Sequence, residues 1–438
     1  MTPAARVQTA IEILERIETS ERPADQVVAA NLRGRRYIGS KDRRAITGLV
    51  YDVIRRQARL DWWLGRVGAP EVMAPAERPR LRVIAQLALD EGGTTIESLF
   101  DGSQYGPPTL SEEEASVASA LGGQSLDHAE QPDAVRAEMP AWLLAQFEAS
   151  LGDQAWRELD ALRGEAPLDL RVNSLKADRD GASAALEAEG IAANPTLLSP
   201  LGLRLSGRHN LPATPCYREG LVEVQDEASQ LAALLVEARP GMAVADFCAG
   251  AGGKTLALAA TMANEGRLLA LDRDGERLGR ARPRLSRAGA ACVESHALTG
   301  PDDPLLAREA ASFDRVLVDA PCTGSGAWRR NPDARWRLTE ASFESLQALQ
   351  AEILQAAAGL VRPGGRLIYA TCSLFQAENA APVEAFLEAR SDFVLLPYGA
   401  VWESVMGGPP PDDEATLTLT PAGRGTDGFY VAILECRS

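Results

Sequence analysis

The stretch Ala243-Val-Ala-Asp-Phe-Cys-Ala-Gly-Ala-Gly-Gly-Lys-Thr255 joins a short apolar run to a glycine-rich turn and then to a helical pattern. Short apolar strands and amphipathic helices alternate from there to Phe429-Tyr-Val-Ala-Ile-Leu-Glu435. Such alternation predicts an α/β fold with helices on both faces of a mostly parallel sheet. Ligands of these sheets bind at the carboxyl ends of the strands, and the glycine turn lies at one such end.

The glycine turn has three interpretations. A phosphate-binding loop, G-x-x-x-x-G-K-[ST], would need its first glycine where Cys248 stands, and a dinucleotide turn, G-x-G-x-x-G, would need its last where Thr255 stands. The turn of class I methyltransferases fits, because packed glycines let backbone amides approach the amino acid end of S-adenosylmethionine. Asp272, ending the next strand, would then accept hydrogen bonds from the ribose hydroxyls. On this motif alone, another nucleotide enzyme and a purely structural turn stay open beside a methyltransferase.

Two cysteines follow two later strands of the predicted sheet. Cys322 lies in Asp319-Ala-Pro-Cys-Thr-Gly-Ser-Gly326, and Cys372 lies in Thr371-Cys-Ser373. A single buried cysteine is usually a packing residue. Two of them at strand ends, one beside an Asp-Ala-Pro turn, indicate a catalytic pair.

Such a pair suits methylation of cytosine at carbon 5. This carbon is a poor nucleophile, and addition of a thiolate to carbon 6 raises its electron density. Negative charge then develops toward ring nitrogen 3, where a carboxyl group that is protonated or shares a proton stabilises it, and Asp319 is the candidate. A second sulfur assists when a base removes the carbon 5 hydrogen. The target must leave its stack to enter such a pocket, so we expect a single-stranded or locally opened substrate.

Five motifs stand in order along the chain: Val224-Gln-Asp-Glu-Ala-Ser229, Cys248-Ala-Gly-Ala-Gly-Gly-Lys254, Asp319-Ala-Pro-Cys322, Thr371-Cys-Ser373 and Gly425-Thr-Asp-Gly-Phe429. From about Trp142 onward the chain thereby resembles the RsmB/Nop (Sun) family of RNA 5-methylcytosine methyltransferases. The N-terminal region, with Asp42-Arg-Arg44 and Val50-Tyr-Asp-Val-Ile-Arg55, resembles the NusB-like RNA-binding domain of the bacterial RsmB subgroup. The resemblance implies S-adenosylmethionine as cofactor and 16S ribosomal RNA as substrate.

The resemblance also assigns roles to residues. It implies that Cys372 is the nucleophile and that Cys322 helps product release, an order that chemistry alone leaves open. Members of the family usually have an Asp after the third strand of this domain. Near that position this chain has His296, which is either an adenine contact or a surface histidine. The implied cofactor contacts are Cys248, Ala249, Gly250, Ala251, Gly252, Gly253, Lys254, Asp272, His296 and Asp319.

The formal net charge of −16 argues against unspecific coating of nucleic acid. Two stretches are nevertheless basic. Residues 33–66 carry ten Arg or Lys against three Asp, which indicates either solvated helix faces or a phosphate-binding face. Residues 328–337 carry four Arg and two Trp, which suit contact with phosphates and bases of RNA. The predicted RNA contacts are Lys254, Arg329, Arg330 and Arg335.

Three domains are expected. They are a NusB-like helical RNA-binding domain at residues 1–130, an α+β RNA-binding domain at residues 131–238, and a catalytic domain with a seven-stranded sheet at residues 239–438. Residues 101–140 lose helical periodicity and gain Gly, Pro, Ser and Glu, which predicts a linker.

Composition excludes several classes of protein. Six cysteines without a C-x-x-C pair and three scattered histidines argue against a zinc site, a disulfide framework and a Ser-His-Asp triad. The N-terminus lacks the layout of a signal peptide, and no run reaches the ~18 apolar residues of a membrane helix. We expect a cytoplasmic monomer without metal. The rival functions are the same chemistry on tRNA or another RNA, a non-catalytic RNA-binding assembly factor and, third, a P-loop hydrolase.

Overall fold

A computed structural model describes residues 1–35, 37–68, 78–90, 96–207 and 209–437. These residues form two compact units, Met1–Ala149 with Arg330–Leu338, and Ser150–Arg329 with Thr339–Ser438. The domain boundaries placed after residues 130 and 238 stay predictions.

The first unit is helical. Apolar residues at helical spacing, such as Ile46, Val50, Val53 and Ile54, are buried and form its core. Its helices span Pro3–Glu18, Ala24–Gly34, Ser40–Arg55, Gln57–Arg66, Arg78–Asp90, Ile96–Ser98, Glu112–Leu121, Asp133–Arg136 and Ala334–Arg337, and Ala141–Leu151 crosses its boundary.

Part of the basic stretch 33–66 is paired inside this unit. Arg59 is buried, and its guanidinium donates to Glu138 Oε1 and to Asp127 Oδ1, both at 2.7 Å. A buried charge is stable only when it is paired, so Arg59 holds structure together. Arg44 is exposed. Arg59 therefore fits neither interpretation of the stretch, whereas Arg44 leaves both open.

The linker predicted over residues 101–140 is wrong in its middle part. Glu112–Leu121 is a helix, and its Val117 packs in the core of the helical unit. Ser111 Oγ accepts from Glu114 N, and the Glu114 carboxylate accepts from Ser111 N, which forms a capping box. The Ser-Glu-Glu-Glu sequence carries this signal, but the Gly- and Pro-rich surroundings obscured it.

The second unit contains a small antiparallel sheet of order β2-β3-β1-β4. Leu170 and Leu203 of this sheet pack against Leu186 of the helix Arg179–Ala188. The Arg171 guanidinium donates to the carbonyl oxygen of Gly253 at 2.8 Å, so the small sheet contacts the glycine turn. The four strands are β1 (Leu168–Val172), β2 (Ala193–Pro195), β3 (Gly202–Leu205) and β4 (Val222–Val224).

The larger sheet has eight strands, one more than predicted, and seven of them form one path. Its order is β10-β12-β9-β8-β5-β6-β7, and the short β11 pairs with β12 as an eighth strand outside this path. The pairs among β5 to β9 are parallel, whereas β12 runs antiparallel to its neighbours. The strands are β5 (Ala243–Asp246), β6 (Arg267–Asp272), β7 (Val293–Ala297), β8 (Phe313–Asp319), β9 (Val361–Thr371), β10 (Phe393–Leu396), β11 (Leu417–Leu419) and β12 (Phe429–Cys436).

Helices cover both faces of the larger sheet. Leu258 and Trp402 pack on one face, and Ile353 and Phe386 pack on the other. The helices of this unit are Gly152–Gln154, Ala155–Arg163, Arg179–Ala188, Leu211–Ala213, Pro215–Arg218, Glu227–Leu234, Gly253–Thr261, Gly275–Gly279, Ala281–Ala288, Pro304–Arg308, Ser325–Ala327, Glu340–Ala358, Gln376–Glu378, Ala380–Ala389, Gly399–Met406 and Pro421–Arg424.

The glycine turn connects β5 to the helix Gly253–Thr261 through left-handed backbone. Gly252 has φ +80°, and a Cβ there would lie 2.8 Å from the Cβ of Ala281. Glycine accepts this conformation without steric cost. The turn therefore brings its backbone close to the carboxyl edge of the sheet.

Gly326 gives a test of how the strand-end loops pack. A Cβ at Gly326 would overlap the backbone of Gly428, which itself donates from N to Gly326 O at 2.9 Å. We expect Gly326→Ala to reduce the free energy of unfolding by about 1–3 kcal/mol, as overpacking does. Urea unfolding of the full chain measures this. The control is Gly408→Ala, since nothing lies within 4 Å of a Cβ at Gly408. Equal stability of the two variants would contradict the expected clash.

Candidate active site

A cavity of about 440 Å³ opens at the carboxyl edge of the larger sheet. Four strands deliver its walls: Cys248 follows β5, Asp272 ends β6, Asp319 ends β8, and Cys372 follows β9. The structure thus brings together predicted residues that lie far apart in sequence.

Cys322 and Cys372 face each other in this cavity. Their sulfurs are 3.5 Å apart, within hydrogen-bonding distance. The hydrogen bond with Cys372, together with burial, raises the pKa of Cys322 well above its usual value. Cys322 therefore stays a thiol near neutral pH and can donate a hydrogen bond to the sulfur of Cys372.

Lys254 is the charge partner of Asp319. Its Nζ donates to Asp319 Oδ2 at 2.7 Å and lies 4.8 Å from the centroid of the Phe429 ring. Lys254 is only 7% exposed, so its ammonium group depends on this carboxylate for compensation. The pair places an ammonium donor beside the carboxylate that the sequence assigns to ring nitrogen 3.

The carboxylate of Asp272 is fixed at the cavity wall. Its Oδ2 accepts from Gly250 N at 2.7 Å, and its Oδ1 accepts from Asp274 N at 2.8 Å. Each oxygen keeps a lone pair for another donor. Arg277 also lines the cavity, and its guanidinium would crowd a Cβ at Gly250. Sequence reasoning misses Arg277, because a lone arginine in a surface helix carries no signal.

Two groups at the cavity have shifted pKa values: Asp246, which is buried behind the lining, and Cys248, which is part of the wall. Burial, opposed by a 2.6 Å hydrogen bond from Thr255 Oγ1, raises the pKa of Asp246 to about 7. Burial and the nearby carboxylates of Asp246 and Asp319 raise the pKa of Cys248 well above its usual value. Cys248 is thus a protonated wall residue rather than a nucleophile.

His296 does not line the cavity. It lies on β7, its side chain is 41% exposed, and its Nε2 is 3.3 Å from Asp303 Oδ2. The wall beyond β7 is formed by Leu298, Gly300 and Pro301. The structure therefore favours the surface-histidine interpretation, and the adenine contact predicted for His296 has no support in its position.

The arginines predicted to contact RNA are mostly enclosed. Arg329 is 5% exposed, and its Nε donates to Asp427 Oδ1 at 2.9 Å. Arg335 is 1% exposed and donates to the carbonyl oxygen of Pro332 at 3.1 Å. Burial withdraws both guanidinium groups from phosphates in this conformation, so their predicted RNA contact is not supported. Arg330 is half-buried and stays a candidate.

The motif at residues 224–229 and the motif at residues 425–429 contact each other in the folded chain. The backbone N of Asp427 donates to Asp226 Oδ1 at 3.1 Å, and Arg329 pairs with both carboxylates. These two motifs therefore have a structural role that spacing in sequence does not reveal.

Similarity to known proteins agrees with this geometry. A family model described as 16S rRNA methyltransferase RsmB/F matches residues 233–435, and an RsmF/B-like ferredoxin-like domain matches residues 139–211. The probable ribosomal RNA small subunit methyltransferase B of Synechocystis sp. is 33% identical over 413 residues, 90% of this chain and 91% of that protein. The chain belongs to the RsmB/F family of methyltransferases. The resemblance inferred from its motifs is confirmed.

Solved structures confirm the predicted fold class. The crystal structure of PH0851 matches with a TM-score of 0.81 and 27% identity, covering 99% of each chain. A methyltransferase homolog protein from Pyrococcus horikoshii matches with a TM-score of 0.59 and 28% identity, covering 69% of this chain and 97% of that one. The RsmB/F chain therefore has a class I methyltransferase sheet.

Two kinds of structural feature are absent from the described residues. None of the helices there combines the length and apolarity needed to cross a membrane. Nor does that part of the chain hold a group of three or more His, Cys, Asp or Glu side chains arranged for a metal ion.

Because the pKa of Asp246 is raised in the folded chain, we expect the free energy of unfolding to depend on pH. Its pKa is near 3.8 when unfolded and about 7 when folded. Between about pH 4 and pH 7 the unfolded chain loses this proton while the folded chain keeps it, so the contribution of Asp246 to the free energy of unfolding falls as pH rises. Asp246→Asn lacks this contribution. We expect the Tm of Asp246→Asn relative to the unsubstituted protein to rise across this window. A constant difference in Tm would contradict the assignment.

Proposed function

We propose that this chain methylates carbon 5 of a cytosine in 16S ribosomal RNA, with S-adenosylmethionine as methyl donor. The observation that carries the proposal is the 3.5 Å approach of Cys322 Sγ and Cys372 Sγ at the strand ends that face one cavity. The description of the matching family model, 16S rRNA methyltransferase, supports the class of RNA.

The residues of the turn fit S-adenosylmethionine. The lack of a side chain at Gly250 lets the Arg277 guanidinium pack closely against the turn, and Arg277 also lines the cavity. Asp272 offers fixed acceptors for two ribose hydroxyls, and Leu298 and Pro301 offer an apolar wall for adenine. When bound, S-adenosylmethionine supplies an electrophilic methyl group on a sulfonium sulfur.

Cys372 acts first on the cytosine. Its thiolate adds to carbon 6, which forms a carbon–sulfur bond and moves the π electrons of the ring toward carbon 5 and nitrogen 3. The Asp319 carboxyl group, which can share a proton with Lys254 Nζ at 2.7 Å, stabilises the charge that develops at nitrogen 3. Carbon 5 thereby becomes the nucleophile that the free base lacks.

Cys322 acts at the end of the reaction. Once carbon 5 carries the methyl group, its proton leaves to water, the ring double bond forms again, and the carbon–sulfur bond breaks with its electrons returning to Cys372. The raised pKa of Cys322 keeps its proton in place. Its thiol therefore donates a hydrogen bond to the departing sulfur instead of serving as the base.

The cysteine roles predict opposite outcomes for two variants. Cys372→Ala abolishes methylation and forms no covalent RNA complex, because no carbon–sulfur bond can form. Cys322→Ala accumulates a covalent RNA complex, because elimination slows. Denaturing gels with 16S RNA and labelled S-adenosylmethionine measure both. Trapping by Cys372→Ala in place of Cys322→Ala would reverse the role order.

The substrate is tested by sequencing methylated cytosines in total RNA with and without the gene. A site lost from 16S RNA supports the proposal. Loss from transfer RNA alone would move the same chemistry to another substrate. Unchanged methylation, with no transfer to purified RNA, would favour a non-catalytic assembly factor.

Cofactor binding separates Asp272 from His296. We expect Asp272→Ala to weaken S-adenosylmethionine binding at least about tenfold, since hydrogen bonds to a charged group contribute roughly 1.5–3 kcal/mol. His296→Ala should bind as the unsubstituted protein does, because His296 lies outside the cavity lining. Titration calorimetry measures both affinities. An equal loss in His296→Ala would contradict the structural placement.

A further inference from the structure

Glu378 is a buried carboxylate that the reaction described above does not use. Its side chain is 0% exposed. Oε1 accepts from Thr323 N at 2.9 Å and from Gln350 Nε2 at 3.1 Å, and Oε2 accepts from Thr323 Oγ1 and Ser373 Oγ, both at 2.5 Å. Within the described part of the chain, no Lys, Arg or His pairs with it.

Three of these four donors to Glu378 come from the two cysteine loops. Thr323 follows Cys322 directly, and Ser373 follows Cys372 directly. One carboxylate thus joins the loop after β8 to the loop after β9. The sulfurs can stay 3.5 Å apart only while these loops keep their positions.

Packing alone does not account for a charged group here. An ionised carboxylate in the protein interior costs several kcal/mol, and its hydrogen bonds must offset this cost. A neutral amide of the same shape would tie loops together with less desolvation. The negative charge of Glu378 also adds to the effects that raise the pKa of Cys322, after the hydrogen bond with Cys372 and burial.

We propose that Glu378 is a positioning residue, whose carboxylate aligns the two cysteine loops and whose negative charge favours the thiol form of Cys322, the donor of the hydrogen bond to Cys372. This inference rests on the proposed function for its consequence in catalysis. The effect on the thiol itself can be measured without RNA or cofactor.

The first experiment compares Glu378→Gln with the unsubstituted full chain. The amide keeps the size of the side chain and removes its charge. We expect Cys322 to react faster with iodoacetamide at pH 8, by up to about tenfold, because loss of the charge lowers its pKa and raises the thiolate fraction; mass spectrometry of its peptide follows the rate. Glu388→Gln is the control, since Glu388 is exposed on the helix Ala380–Ala389. An unchanged rate in folded Glu378→Gln overturns the proposed role of the charge.

The second experiment separates alignment from charge. Ser373→Ala removes one donor and leaves the carboxylate, so we expect the alkylation rate of Cys322 to stay within about twofold while kcat falls about tenfold, as small misplacements of reacting groups do. KM for S-adenosylmethionine should not change. If Glu378→Gln fails to fold, an unchanged kcat in Ser373→Ala still overturns the alignment.

Failure of this inference differs from failure of the proposed function. If the inference is wrong, the thiol reactivities stay as they are and Cys322→Ala still traps RNA. If the function is wrong, no variant traps RNA, while the thiol chemistry can still follow Glu378.

Discussion

The parallel pairing of β8 with β9 is the constraint on which the site depends. Asp319 lies opposite Ala370 in this register, so both strands end at the same level of the sheet. Cys322 and Cys372, fifty residues apart in the chain, are thereby delivered to one cavity. A shift of one residue would turn alternate side chains to the other face and separate the pair. The glycine turn and the two cysteine loops all follow strands that end at this carboxyl edge of the sheet.

Two thiols of the cavity have raised pKa values, and the leading cause differs between them. Burial, followed by the nearby carboxylates, keeps Cys248 protonated, whereas the hydrogen bond with Cys372 is the first cause that keeps Cys322 protonated. Lys254 is a buried cation at the strand ends, and its pairing with Asp319 opposes this excess of acid. The acidic total of the chain therefore does not describe its active site, because individual pairs decide protonation at this distance.

Several features could be predicted from sequence because they are local. The alternation of strands and helices predicted a mostly parallel sheet with helices on both faces, and the glycine motif predicted a tight turn between a strand and a helix. Other features could not. Arg329 and Arg335 look like RNA contacts beside a catalytic motif, yet both are buried. Glu378 lies shortly after the Thr-Cys-Ser motif. Nothing in the sequence around it indicates that its carboxylate accepts hydrogen bonds from both cysteine loops.

Periodicity and short motifs were enough to establish the class of fold, the family and the two cysteines, because they express local preferences of the backbone and the chemistry of single residues. Which side chains share a cavity and which are enclosed became known from the folded structure. In the folded chain Lys254 pairs with Asp319, His296 lies outside the cavity lining, and Glu378 accepts hydrogen bonds from both cysteine loops. These outcomes depend on strand register and burial, and both are set by contacts between residues far apart in the chain.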